Sequence, residues 1–110
     1  MLNKVAFAVK LDGYVMQLGR SELESVAAGL REFDASAEGG LLTLVEALRR
    51  MPAHDRAPVW ELAVRRYGRR RPLEQAAGEI GMDEIHARTL LEGFSHTLSE
   101  VSAGAFVGLG

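Results

Sequence analysis

The stretch that decides the fold of this 110-residue chain is AAGEIGMDEIHARTLLEGF, residues 76–94. Ala77 carries only a methyl group, so it allows two helix backbones to approach, and Gly81 suits the left-handed conformation of a tight turn. Five further positions have to be apolar if the two helices are to pack, and they are Ala76, Ile80, Met82, Ala87 and Leu90. The spacing predicts a C-terminal helix-turn-helix, with Asp83 as the N-cap of its second helix, which runs to about residue 101.

Upstream of this motif, apolar residues at helical spacing predict further helices. One is capped by Asp34 or Ser36 and ends before Pro52, because the residue before a proline avoids helical angles. The next runs from about residue 54 to 67, and a short helix over residues 73–80 leads into the turn. The fold class is therefore mainly α, a small helical domain.

The N-terminal part differs in pattern. Asp12-Gly13 stands between alternating apolar residues in KVAFAVKLDGYVMQL, residues 4–18, which is typical of a β-hairpin with Leu11 opposite Tyr14. A helix is the alternative, although Gly13 in its middle would cost about 1 kcal/mol. We favour the hairpin. A helix follows it, with a capping box of Ser21 and Glu24 at its start.

Composition sets limits on function. The chain is 47% hydrophobic and 25% charged, has a formal net charge of −2 and contains no cysteine. Disulfides and thiolate metal sites are thereby excluded, and no apolar run reaches the roughly 18 residues of a membrane span. No phosphate-binding loop, catalytic acid–base pair or full set of metal ligands stands out. We expect a cytoplasmic protein that is not an enzyme and uses no cofactor or metal.

Basic residues are concentrated in the middle of the chain. Eight of the thirteen lysines and arginines fall within residues 49–71: Arg49, Arg50, Arg56, Arg65, Arg66, Arg69, Arg70 and Arg71. An arginine run of this kind is either a solvated helix end or a surface for an acidic partner.

Two segments carry a resemblance to a known family. ALRRMPAHDRAPVWEL, residues 47–62, resembles the entry to region 4 of bacterial sigma factors of the extracytoplasmic-function type, through Met51-Pro52 followed by Arg56. PLEQAAGEIGMDEIHARTL, residues 72–90, is similar to the helix-turn-helix of that region. The resemblance covers residues 41–101. It divides a single domain, 1–110, into an N-terminal hairpin and helix over 1–40, the sigma-region-4-like part over 41–101 and an apolar tail over 102–110.

The resemblance implies a DNA-binding transcriptional regulator. Its base contacts would come from His86, Arg88 and Thr89, because these side chains can form hydrogen bonds with the edges of bases. Its phosphate contacts would come from Arg65, Arg66, Arg69, Arg70 and Arg71. One helix-turn-helix has a small footprint, so we expect a homodimer on double-stranded DNA, joined by the hairpin or the tail.

A second hypothesis keeps the fold without DNA. Asp83 is explained by helix capping, but Glu84 and Ile85 would face the major groove, where they have few partners. The negative net charge also favours a protein-interaction module or adaptor, for example for RNA polymerase or a larger assembly. The two hypotheses are separated by the charge of the surface around Arg88.

Overall fold

The computed structural model describes residues 6–11, 14–37 and 40–109 of the chain, with side chains described for 19–37, 40 and 42–103. The elements in chain order are β1 (Ala6–Leu11), β2 (Tyr14–Gly19), α1 (Arg20–Leu30), α2 (Leu41–Arg50), α3 (Ala53–Ala63), a π-helical turn (Val64–Gly68), α4 (Leu73–Glu79) and α5 (Glu84–Leu109). The mainly helical class predicted from the sequence is confirmed.

The two strands pair antiparallel, with Leu11 opposite Tyr14 and Phe7 opposite Leu18. Asp12 and Gly13, which the sequence assigns to the turn, lie outside the described residues, as do the side chains of both strands. The hairpin with one apolar face therefore stays a prediction.

The N-cap of helix α1 lies two residues earlier than the sequence indicates. Gly19 is the N-cap, and its N–H donates to Glu22 Oε1 at 3.2 Å. The capping box predicted for Ser21 and Glu24 is wrong, because the chain enters α1 directly from β2. The first free N–H is then that of Gly19, and the carboxylate three residues further on is that of Glu22.

The start of α2 was also predicted too early. Asp34 Oδ1 accepts a hydrogen bond from the Ser36 N–H at 2.9 Å, which closes a local turn instead of capping a helix. Helix α2 begins at Leu41, with Gly40 as its N-cap, so neither Asp34 nor Ser36 caps it. Its predicted end before Pro52 is confirmed, since the helix stops at Arg50.

The core is built around α5, which packs against α1, α2, α3 and α4. The largest of its fully buried side chains is Phe94, and Leu91 and Leu98 lie one turn away on either side. Ser95 is also fully buried, and its hydroxyl donates to the carbonyl of Leu30 at 2.5 Å. This bond satisfies a polar group inside the core and joins α5 to the end of α1.

The apolar tail over residues 102–110 is not a separate segment. Backbone helix continues to Leu109, so the prediction that α5 ends near Val101 is wrong. No proline follows Pro72 in the sequence, and the helical backbone continues through Gly104 and Gly108. Val101 is buried, and the Ser102 hydroxyl donates to Leu98 O within the helix.

The junction of α1 with the π-helical turn depends on a glycine. Tyr67 is buried with its ring directly against Gly29, where a Cβ would overlap the ring carbons. Burial of the phenol, and next the charge of Glu32, raises the pKa of Tyr67 well above its ordinary value. The side chain is therefore neutral at physiological pH and acts as a packing group.

Replacing Gly29 by alanine should destabilise the fold by about 1–3 kcal/mol, because the added methyl group overpacks the Tyr67 ring. The matched control is Gly93→Ala in α5, where an added Cβ has no neighbour within 4 Å apart from the adjacent residues and the backbone of its own helix. That variant should gain up to about 1 kcal/mol from helix propensity. Urea unfolding followed by circular dichroism measures both, and equal midpoints for the two variants would contradict the packing argument.

Candidate interaction site

The turn between α4 and α5 is formed by hydrogen bonds between residues that are close in the chain. Gly81 has φ +70°, as the sequence predicts. The Met82 N–H donates to Ala77 O at 2.9 Å and the Gly81 N–H to Gly78 O at 3.1 Å, which together form a Schellman motif. The last carbonyls of α4 are thus satisfied, and α5 leaves in a new direction.

The apolar positions of the motif lie where the sequence places them. Ala76, Ala87 and Leu90 are buried, whereas Ile80 and Met82 are half-buried against the core. Ala77 is 1% exposed, in accord with a close approach of the two helices. The relationship to sigma region 4 stays a prediction.

Asp83 caps α5 as predicted. Its Oδ2 accepts hydrogen bonds from the N–H groups of Ile85 at 3.0 Å and His86 at 3.3 Å. The carboxylate therefore satisfies two of the free donors at the helix start and lies favourably in the field of the helix dipole. It remains exposed to solvent.

The first two turns of α5 present the residues that the sequence assigns to base contacts. His86, Arg88 and Thr89 are all exposed. Two of them already have partners: Arg88 Nη2 lies 3.6 Å from Glu84 Oε2, and the Thr89 hydroxyl donates to Ile85 O at 3.1 Å. Ile85 is 77% exposed, which is unusual for a side chain of this size.

The arginines assigned to phosphate contacts divide into two groups. Arg65 and Arg71 bind carboxylates within what we call the arginine–glutamate cluster, Glu61, Arg65, Arg71 and Glu79. Arg65 Nη1 pairs with Glu61, its Nε lies 3.2 Å from Glu79 Oε1, and Arg71 Nη1 lies 2.5 Å from the same Oε1. The Arg65 Nε contact is an ion pair without hydrogen-bond geometry. The cluster fastens the π-helical turn and the loop after it to α4.

Arg66 also has a structural role. Its Nη1 donates to Arg71 O at 3.2 Å, and its guanidinium lies 5.4 Å from the centre of the Tyr67 ring. Arg69 and Arg70, by contrast, are exposed, and among the described residues neither side chain has an ion pair or hydrogen bond. Of the five arginines, these two are the ones that present their charge to solvent.

The segment of the chain that holds Arg88 has a negative net charge. Within residues 73–92 the sequence has a single arginine, Arg88, against five carboxylates: Glu74, Glu79, Asp83, Glu84 and Glu92. Two of the five are paired with arginines, Glu79 with Arg65 and Arg71, and Glu84 with Arg88. Glu74, Asp83 and Glu92 are exposed, which makes this segment less favourable to a polyanion than a basic surface.

A cleft of about 490 Å³ opens between α3 and the α4–α5 turn. Its apolar lining comes from both sides, with Ala57 and Pro58 on α3 and Ile80 and Met82 at the turn. Glu61, Asp83 and His86 supply its polar lining. No sequence pattern predicts this cleft, because its two sides, residues 57–61 and 80–86, are far apart in the chain.

Glu79 was also missed by sequence reasoning. It is the one carboxylate that contacts two arginines of the cluster, and the neighbouring Arg71 chiefly holds its pKa below the ordinary value. Its partners lie eight and fourteen residues earlier, beyond the range of helical spacing. Only the tertiary arrangement brings these charges together.

A metal-ligand cluster and a membrane-spanning helix are both absent from the part of the chain that the structure describes. No group of three or more histidine, aspartate or glutamate side chains there is arranged to hold a metal ion. Likewise, none of the helices in that part of the chain has the length and apolar character required to cross a bilayer.

Replacing Glu79 by glutamine should lower the free energy of unfolding at pH 7, because two arginines lose their shared carboxylate. A carboxylate with a lowered pKa stabilises the fold fully above its unfolded pKa, here 4.5, and less as the pH falls through the folded value. The difference between wild type and variant should therefore narrow below about pH 4.5. Denaturant titrations across pH, with the exposed Glu92→Gln as control, test this; a gap that does not change with pH would contradict it.

No family model matches the sequence, and comparison with curated proteins and with solved structures returns no significant match. Function therefore has to be argued from the geometry of the site.

Proposed function

We propose that this chain is a protein-interaction module that uses the α4–α5 pair, as a helix-turn-helix, to dock on a protein partner. The observation that carries the proposal is the exposure of Ile85, 77% of whose surface is open to solvent at the start of α5. An exposed apolar side chain beside a cleft with an apolar lining offers a contact surface to a protein partner.

The charges near this position support the same function. DNA-binding surfaces are basic because phosphates supply most of the affinity. Here Arg88 is paired with Glu84, and Arg65 and Arg71 are held by Glu61 and Glu79. The other exposed side chains at the start of α5 are those of Asp83, Ile85, His86 and Thr89, and none of them is a lysine or an arginine, which suits a protein surface better than the major groove.

DNA binding is the second candidate, and one observation favours it. His86, Arg88 and Thr89 are exposed together on the helix that would enter the major groove, with Arg69 and Arg70 exposed in the preceding loop. In this function the chain is a transcriptional regulator with a sigma-region-4-like helix-turn-helix. It acts as a homodimer on double-stranded DNA, and the N-terminal hairpin joins the two copies.

A photo-crosslinking amino acid at position 85 tests the first proposal in the natural host cell. The expected product is a crosslinked species that protease destroys and nuclease leaves intact. The matched control places the same crosslinker at Gln75, an exposed position on α4, where capture should be much weaker. Nuclease-sensitive adducts, or equal capture at both positions, would overturn the proposal.

The ion pairs of the arginines decide which substitutions are suitable tests of DNA binding. If DNA is bound, Arg69→Ala with Arg70→Ala should reduce the slope of log affinity against log salt by about 1–2, because two phosphate contacts are lost. Arg88→Ala should relax sequence specificity. Arg71→Ala makes a poor probe, since it also breaks the ion pair with Glu79.

Fluorescence anisotropy with a mixed-sequence duplex, from low to physiological salt, measures these effects. On our first proposal the wild-type chain shows no binding at physiological salt, and the double variant behaves like wild type at every salt concentration.

A further inference from the structure

The cleft between α3 and the α4–α5 turn has the dimensions and lining of a side-chain receptor. Its volume of about 490 Å³ exceeds that of any single side chain, and Ala57, Pro58, Ile80 and Met82 form its apolar surface. On the α3 side the lining residues Ala57 and Pro58 have small side chains. On the other side, Ile80 and Met82 pack against the core. An apolar side chain inserted here would exchange part of its contact with water for contact with these four residues.

The cleft continues toward the exposed start of α5. Asp83 and His86 belong to its lining, and Ile85 lies between them in sequence with most of its surface open. A partner that contacts Ile85 is thus beside the cleft. Neighbouring apolar contacts on one surface are what the apolar face of an amphipathic helix requires.

The carboxylates in the lining of the cleft are Glu61 and Asp83, and the lining includes no lysine or arginine. Glu61 is paired with Arg65, and Glu84, beside the cleft, is paired with Arg88. Asp83 is exposed and, among the described residues, hydrogen-bonds only to N–H groups at the start of α5. Complementarity therefore favours a cation on the partner beside Asp83, next to its apolar side chains.

We propose that this cleft receives an apolar side chain of a lysine- or arginine-rich amphipathic helix on the partner, while a second apolar side chain of that helix packs on Ile85. The inference rests on the proposed function and names the chemistry of its partner. A cation of the partner then lies beside Asp83 at the rim of the cleft.

The chain contains its own reporters for this binding. It has only two isoleucines, Ile80 in the cleft and Ile85 beside it, and Met82 lines the cleft while Met51 is buried in the core. Isoleucine δ1 and methionine ε methyl groups labelled with ¹³C can be followed by NMR in the full chain. The probe is a helical peptide of leucine and lysine, with leucines three and four residues apart.

We expect the methyl signals of Ile80, Ile85 and Met82 to shift and saturate at one peptide per chain, while Met51 stays unmoved. A peptide with the same leucines and glutamate in place of lysine should shift none of them. Absence of shifts with the lysine peptide, equal shifts with both peptides, or movement of Met51 along with the others would each overturn the inference.

Two variants sharpen the result. Ala57→Leu fills the α3 side of the cleft and should abolish the Ile80 and Met82 shifts. Asp83→Asn removes a rim charge, yet asparagine caps helices as well as aspartate does, so α5 keeps its start. This variant should bind the lysine peptide with an affinity about two- to fivefold lower, which corresponds to the loss of one exposed ion pair. A peptide affinity unchanged by both variants would contradict a cleft-bound cationic helix.

The inference and the proposed function fail in different ways. If position 85 crosslinks to protein but the Ile80 and Met82 signals do not respond to the lysine peptide, the interaction function stands and the cationic helix is excluded. If position 85 crosslinks to DNA or captures nothing above control, the proposed function itself is excluded.

Discussion

The buried stripe along α5 is the constraint on which the other helices depend. Its members follow one another at alternating spacings of four and three residues: Ala87, Leu91, Phe94, Leu98 and Val101. Such a stripe keeps one face of a helix against its neighbours over several turns. Because α1, α2, α3 and α4 all contact this helix, its rotation about its own axis is set by the core.

That fixed rotation decides what the start of α5 shows to the outside. With Ala87 and Leu90 turned inward, Ile85, Arg88 and Thr89 lie away from the buried stripe and face solvent. The exposure of Ile85 is therefore a consequence of packing two turns further along. The neighbouring Arg88 is held near Glu84 by the same helical spacing of four residues.

The parts of the fold that sequence predicts well are those set by neighbours in the chain. The left-handed Gly81 and the cap at Asp83 depend on a few adjacent residues, and both are confirmed. The start of α1 at Arg20 was missed because its cap depends on how β2 delivers the chain, which Ser21 and Glu24 do not encode.

The parts that sequence misses depend on distant contacts. A run of arginines looks the same in the sequence whether its members face solvent or bind carboxylates. The pair of Arg65 with Glu61 is local, at a spacing of four residues, but only the contact of α4 with the π-helical turn brings Glu79 to Arg65. The hydroxyl of Ser95 likewise gives no sign in the sequence that it reaches Leu30, 65 residues away. The cleft beside Pro58 is a gap between two elements, so no single segment describes it.

The length of α5 has a geometric consequence of its own. At 1.5 Å per residue, its 26 residues from Glu84 to Leu109 extend about 39 Å. A continuous helix of this kind works as a stiff spacer, with Ile85 near one end. A fluorophore attached at the C-terminal end of α5 lies at the opposite end of that helix from the turn at Gly81. Its distance from a bound partner therefore reports which end of the helix the partner occupies.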